Sequence, residues 1–131
     1  MITLSLLLTA TLFGGMVFYS FGFAPVLFAQ LPMEKVRPIL RGTFPYYYLA
    51  VIALSALATI VAIFVSGFSA IVLGAICLST VYARQGLMPM INRAADAGDK
   101  AAFGRLHGAS VVIQLIQIGL CGWVVAVIGW L

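Results

Sequence analysis

The residues of this chain with the most chemical capacity are His107, Ser110, Gln114, Gln117 and Cys121. An imidazole, a hydroxyl, two amides and a thiol can ligate a metal, pass a proton or hydrogen-bond a polar solute. At about 100° per residue all five fall within an arc of about 80° on one helix. The helix that carries them is otherwise apolar. Lipid satisfies none of these groups, so the stripe must face a bundle interior or a protein partner. Two readings follow. The stripe is interhelical glue, with hydrogen bonds averaging about 0.6 kcal/mol each. Or it lines a path or pocket for a small solute, a proton or a metal.

His107 is the only histidine. It can titrate near neutral pH, ligate a metal, hold a haem iron, or simply hydrogen-bond at a helix end. A haem with two histidine ligands would need a homodimer. Met88, Met90 and His107 are side chains that suit Cu(I), but their spacing carries no ligand signature. The expectation is therefore no cofactor and no metal, with haem or copper at His107 as alternatives. Glu34, Asp96 and Asp99 are the only acids and lie among basic residues, where surface ion pairs form. There is no HExxH, no GxSxG, no phosphate-binding glycine loop and no carboxylate pair, so no catalytic set is expected. Cys77 and Cys121 lack CxxC spacing and read as small buried apolar residues.

The elements that position this stripe follow from composition. Of 131 residues, 64% are hydrophobic and 8% charged. Soluble domains carry about 25% charged residues, so a soluble, disordered or disulfide-scaffold protein is excluded. The uncharged stretches are 1–33, 42–83, 85–92 and 106–131. A span needs about 20 apolar residues, so 42–83 must be a hairpin of two. The chain reads as one all-α domain, 1–131: an integral membrane four-helix bundle with up-down order. Spans are expected at about 2–31, 43–65, 70–88 and 105–130, with loops at about 32–42 and 89–104.

Charge sets the orientation. All seven Lys and Arg fall in two clusters, 34–41 and 84–105, and none in the turn at 66–69 or at the termini. The positive-inside rule puts both clusters in the cytoplasm and both termini on the non-cytoplasmic side of an inner (plasma) membrane. The net charge of +4 therefore reflects topology rather than nucleic-acid binding. Lys35, Arg37, Arg41, Arg84, Arg93 and Arg105 are expected against anionic lipid headgroups. The first residues lack a basic n-region, so this segment reads as a span rather than a signal peptide.

Local signals complete the picture. Pro25 should bend span one near Gly22. Gly14, Gly15, Gly22 and Gly74 are expected to admit a neighbouring helix backbone. Residues 34–41 suggest a short interfacial helix, and Pro45 a place in the first turn of span two. Tyr46, Tyr47 and Tyr48 suggest an aromatic anchor at headgroup depth, as do Trp123 and Trp130. The 89–104 segment is Ala-rich and polar, and parts of it can extend spans three and four as helix.

Several motifs resemble one family. They are Gly14-Gly15-Met16-Val17-Phe18, Ala24-Pro25-Val26-Leu27-Phe28, Thr43-Phe44-Pro45-Tyr46-Tyr47-Tyr48, Pro89-Met90-Ile91-Asn92-Arg93, and Phe103-Gly104-Arg105-Leu106-His107-Gly108-Ala109-Ser110. Their order and spacing resemble the transmembrane protein 205-like family, a domain of unknown function also known as DUF4149. The resemblance implies a four-helix membrane domain with no assigned reaction. It carries the family's His and Ser onto His107 and Ser110. Where the family often has Asn, this chain has Gln114, whose longer side chain departs from the pattern. The family fold is similar to copper-resistance D-type domains and small membrane protoporphyrinogen oxidases, which is why haem and copper stay among the alternatives.

Taken together, the sequence suggests a non-enzymatic membrane protein. The first expectation is a structural or accessory subunit, packing with other membrane proteins or with itself. The second is a protein that handles a small solute or metal through the stripe. The third is a haem-linked redox protein.

Overall fold

A computed structural model describes residues 1–131. Four helices are long and apolar enough to cross a membrane: α1 Ile2–Gln30, α2 Met33–Ala62, α3 Gly67–Asp96 and α4 Lys100–Gly129. No strand is present. Each helix packs on two neighbours, α1 on α2 and α4, and α3 on α2 and α4. Short connections between them make every neighbouring pair antiparallel.

Each connection has a local cause. Leu31 is extended (φ −127°, ψ 150°) because a residue before proline is pushed out of the α region. Pro32 then caps α2, and Glu34 lies in its first turn, where negative charge suits the helix N-terminus. The Ser66 hydroxyl accepts from the Ser69 amide at 3.3 Å and starts α3. At the end of α3, Gly98 takes φ 69°, a left-handed conformation that glycine adopts without steric cost. The Gly98 amide donates to Ala95 O and the Asp99 amide to Ala94 O, the double bond of a Schellman cap. The Asp99 carboxylate then accepts from the Ala102 amide at 3.1 Å and opens α4.

Two expected loops are therefore mostly helix. Residues 34–41 are the first turns of α2 rather than a separate interfacial helix, and Pro45 lies in its interior rather than its first turn. The 89–104 segment shrinks to a turn at 97–99, and α3 and α4 run on as helix either side of it. The bidentate pair from Arg41 to Asp96, at 2.7 and 2.9 Å, joins these two extensions. It places both charged clusters at one end of the bundle.

Two helices contain a π-helical segment, Phe18–Phe23 in α1 and Ala83–Leu87 in α3. Each is followed at once by a proline, Pro25 or Pro89. A proline clashes with the carbonyl four residues back, here Phe21 or Gln85. Both carbonyls lie in the widened turn, which relieves the clash. The bend expected near Gly22 thus takes this form.

The apolar core fills the half away from the charges. Leu12 and Met16 of α1 meet Val51, Ala58 and Ala62 of α2, Leu73 and Ile76 of α3, and Cys121, Val124 and Ile128 of α4. Small residues at Ala58, Ala62 and Ala70 let backbones approach, which is how membrane helices gain packing. The closest approach at a glycine is one that the sequence reading did not single out. A Cβ added at Gly122 would lie 3.1 Å from the Phe13 ring. Gly14 and Gly15 meet nothing within 4 Å and face outward. Gly22 faces only the Phe18 ring of its own helix, and Gly74 makes ordinary contact with Thr59 at 3.7 Å.

Candidate functional site

The polar stripe of α4 turns inward over most of its length. Ser110, Gln117 and Cys121 are buried, and Gln114 is half-buried. His107 departs from the others and lies exposed at the charged end of the stripe.

Each inward group meets a partner supplied by another helix. The Ser110 hydroxyl pairs with the Tyr48 hydroxyl at 3.2 Å. The Gln114 amide donates to the Ser20 hydroxyl and to the Tyr47 hydroxyl, the latter at 3.3 Å. Gln117 donates to Ser79 Oγ at 2.7 Å and Thr80 Oγ1 at 3.1 Å. Those two hydroxyls in turn donate to the Ile76 carbonyl, at 3.0 and 2.7 Å. The Cys121 thiol points at the Thr9 carbonyl, 3.6 Å away. Cys77 points at the Ile52 carbonyl, so both thiols are free and serve as packed weak donors.

Aromatic rings enclose the charged-end half of this network. Tyr19 stacks on Tyr47 with centroids 4.1 Å apart and on Phe23 at 5.4 Å. Its hydroxyl pairs with Thr43 Oγ1 at 3.0 Å, and Thr43 donates onward to the Leu40 carbonyl. Phe44 meets Tyr19 edge-on. Such pairs add about 0.5–1.5 kcal/mol beyond area burial. Of the three tyrosines expected as a headgroup anchor, only Tyr46 points outward. Tyr47 and Tyr48 turn inward and satisfy the stripe. Tyr19, Ser20, Thr43, Tyr47, Tyr48, Ser79 and Thr80 are thus site residues that sequence reasoning missed. The available signal was Tyr47 and Tyr48, adjacent in sequence and near enough in angle to share the inner side of α2.

The basic residues divide. Lys35, Arg37, Arg93 and Arg105 are exposed at the charged end. Arg41 is held by Asp96. Arg84 is half-buried and its Nε donates to the Pro45 carbonyl at 3.3 Å, a helix-to-helix tie rather than a free headgroup contact. No three of His, Cys, Asp or Glu come together. Met88 and Met90 do not line the groove that holds His107.

Two of the grooves on the outer surface of the bundle border the site residues. One of about 380 Å³ runs between α1 and α2 beside Gly15, Phe18 and Tyr46. The other, about 260 Å³, lies between α1 and α4, with His107, Gln114 and Ser20 as its polar groups. Both are lined chiefly by apolar side chains.

Two buried hydroxyls, Ser5 and Ser69, have no hydrogen-bond partner. That contrast gives a test of what the network contributes. Gln117→Leu removes the interhelical bonds to Ser79, Thr80 and, at 3.5 Å, the Ile76 carbonyl, and should lower unfolding free energy by about 1–2 kcal/mol, near the upper measured values for membrane helices. Ser69→Ala removes no bond to a neighbour and should cost nothing or stabilise. Unfolding in mixed micelles of increasing SDS fraction checks both, and equal costs would refute the assignment.

Comparison with known proteins places the chain. No curated protein and no solved structure matches it. The family described as a domain of unknown function, DUF4149, matches residues 7–100. That match takes in Tyr19, Ser20, Tyr47, Tyr48, Ser79 and Thr80 and stops before His107 and Ser110. With its first three helices covered, this chain belongs to the DUF4149 family.

Proposed function

We propose that this protein is a non-enzymatic membrane subunit that acts through its lipid-level surface, by packing against a second copy or a larger membrane protein. The observation that carries this reading is the closure of the polar interior. Every stripe residue inside the bundle has a partner within the chain. Only Gln114 also borders an outer groove, while Ser110, Gln117 and Cys121 are engaged inside the bundle. The same closure weighs against a solute path through the bundle.

The outer surface is where unspent features remain. Gly14 and Gly15 lie on the exposed side of α1 with open space above them. Phe18 is 70% exposed beside them, and the groove toward Tyr46 begins at Gly15. Outward-facing small residues next to a large aromatic suit close approach of another helix. In the orientation given by the positive-inside rule, the charged end and the Arg41–Asp96 tie face the cytoplasm of a plasma membrane. Both termini then face outward.

Two experiments test the reading. Native purification with in-membrane crosslinking should give a homo-oligomer or a stoichiometric membrane partner. Gly15→Leu should disperse that assembly about tenfold or more, the effect of about 1.4 kcal/mol, without unfolding the chain. A wild-type monomer with nothing bound would refute the proposal. For orientation, an export-dependent reporter fused after Leu131 should be active outside the cytoplasm. Cytoplasmic activity would overturn that assignment.

A further inference from the structure

The groove between α1 and α4 is mainly apolar and carries a few polar groups, His107, Gln114 and Ser20. Its walls are apolar and aromatic: Phe21 and Phe28 from α1, Leu40 and Phe44 from α2, and Val111 and Leu115 from α4. At its charged end stands His107. The imidazole stacks flat on Phe103, with centroids 5.6 Å apart and planes 3° apart, which fixes its orientation. His107 accounts for none of the hydrogen bonds that tie α4 to its neighbours. Imidazole keeps at least one N–H donor in any protonation state.

A cation stands at the same end. Arg37 precedes Leu40 by three residues and Phe44 by seven, so it shares a helix face with these two groove residues, one turn beyond the lining itself. It is exposed. The one salt bridge of the chain uses Arg41, and Arg84 is engaged with Pro45, so neither competes for the role. From His107 inward to Gln114 the groove follows α4 for about 10 Å at 1.5 Å per residue. Its volume of about 260 Å³ is partly enclosed and partly open to the outside. The arrangement sets Arg37 and His107 at the charged end and an apolar groove inward of them.

We propose that this groove holds one anionic phospholipid, its phosphate at Arg37 and His107 and part of an acyl chain along Phe21, Phe28 and Leu115. Charge complementarity selects an anionic headgroup, because helical spacing sets the Arg37 guanidinium one turn beyond Leu40 and the mouth itself offers the His107 N–H donor. The apolar walls select a lipid over free phosphate, which would leave them bare. The groove lies on the α4 side of α1, so the proposal stands apart from the association surface near Gly14 and Gly15.

Native mass spectrometry of the full chain in detergent tests it. The probes are phosphatidylglycerol, phosphatidylcholine with the same chains, and inorganic phosphate as competitor. One phosphatidylglycerol should stay bound where phosphatidylcholine is lost, and inorganic phosphate should not displace it. Arg37→Gln and His107→Gln should each weaken retention, the first by about fivefold, the factor one basic residue near an anionic surface is worth. Val111→Trp should also abolish retention by filling the groove while leaving both polar groups in place. Arg93→Gln, on the other charged segment, should have no effect. Equal retention of the two lipids would overturn the proposal, as would displacement by phosphate. So would full retention in Val111→Trp, or an equal loss in Arg93→Gln.

Discussion

Lipid offers no hydrogen bonds, so a polar side chain on a membrane helix must find its partner in protein. That constraint organises this bundle. A helix carrying Ser110, Gln114, Gln117 and Cys121 on one face can only be stable with that face turned inward. The neighbours must then present hydroxyls and carbonyls at matching depths. Tyr48 meets Ser110, Tyr47 and Ser20 meet Gln114, Ser79 and Thr80 meet Gln117, and Thr9 meets Cys121. Together these contacts recruit α1, α2 and α3 and fix the rotation of α4 against all three.

The two halves of the bundle use different means. Away from the charges, alanines and short aliphatic side chains bring the backbones close, and hydroxyls such as Thr9, Ser55 and Thr59 bond to carbonyls of their own helix. Toward the charges, bulky tyrosines fill the interior and hydrogen-bond across it. The π-helical turns lie in this second half. Each absorbs a proline, and they belong to the stretches that bring Tyr19 and Ser20 to Gln114 and Arg84 to Pro45.

Much of this was legible from residue types alone. Four spans follow from where the ten charges lie, and the inward face of α4 follows from the angular spacing of its polar residues. The partners of that face were harder to read. Tyr46, Tyr47 and Tyr48 look alike as a run, and only packing separates the one that faces lipid from the two that face the core. The glycines show the same limit. Gly14 and Gly15 read as packing positions without saying against which helix; they face outward, whereas Gly122 faces Phe13, because register between helices is not encoded in either helix alone. The helical extensions at 34–41 and 89–96 were obscured by prolines and charge, which ordinarily mark loops. Here Pro38 and Pro45 are carried inside α2. His107 falls within the arc of the stripe yet lies exposed, since the helix end extends past the network it begins.

Past Gln114, which borders the outer groove, Gln117 and Cys121 are buried and hydrogen-bonded within the chain, so that part of the interior is closed to water. Cys121 reports on it without any substitution, because its thiol is fully buried about two-thirds of the way along α4. The measurement is the rate at which a small water-soluble methanethiosulfonate reagent labels Cys121 in intact membranes, read by mass spectrometry. The account expects no labelling of Cys121 until the bundle is unfolded in SDS. Labelling in the folded protein at the rate of a water-exposed thiol would mean a hydrated path reaches the stripe, and would contradict it.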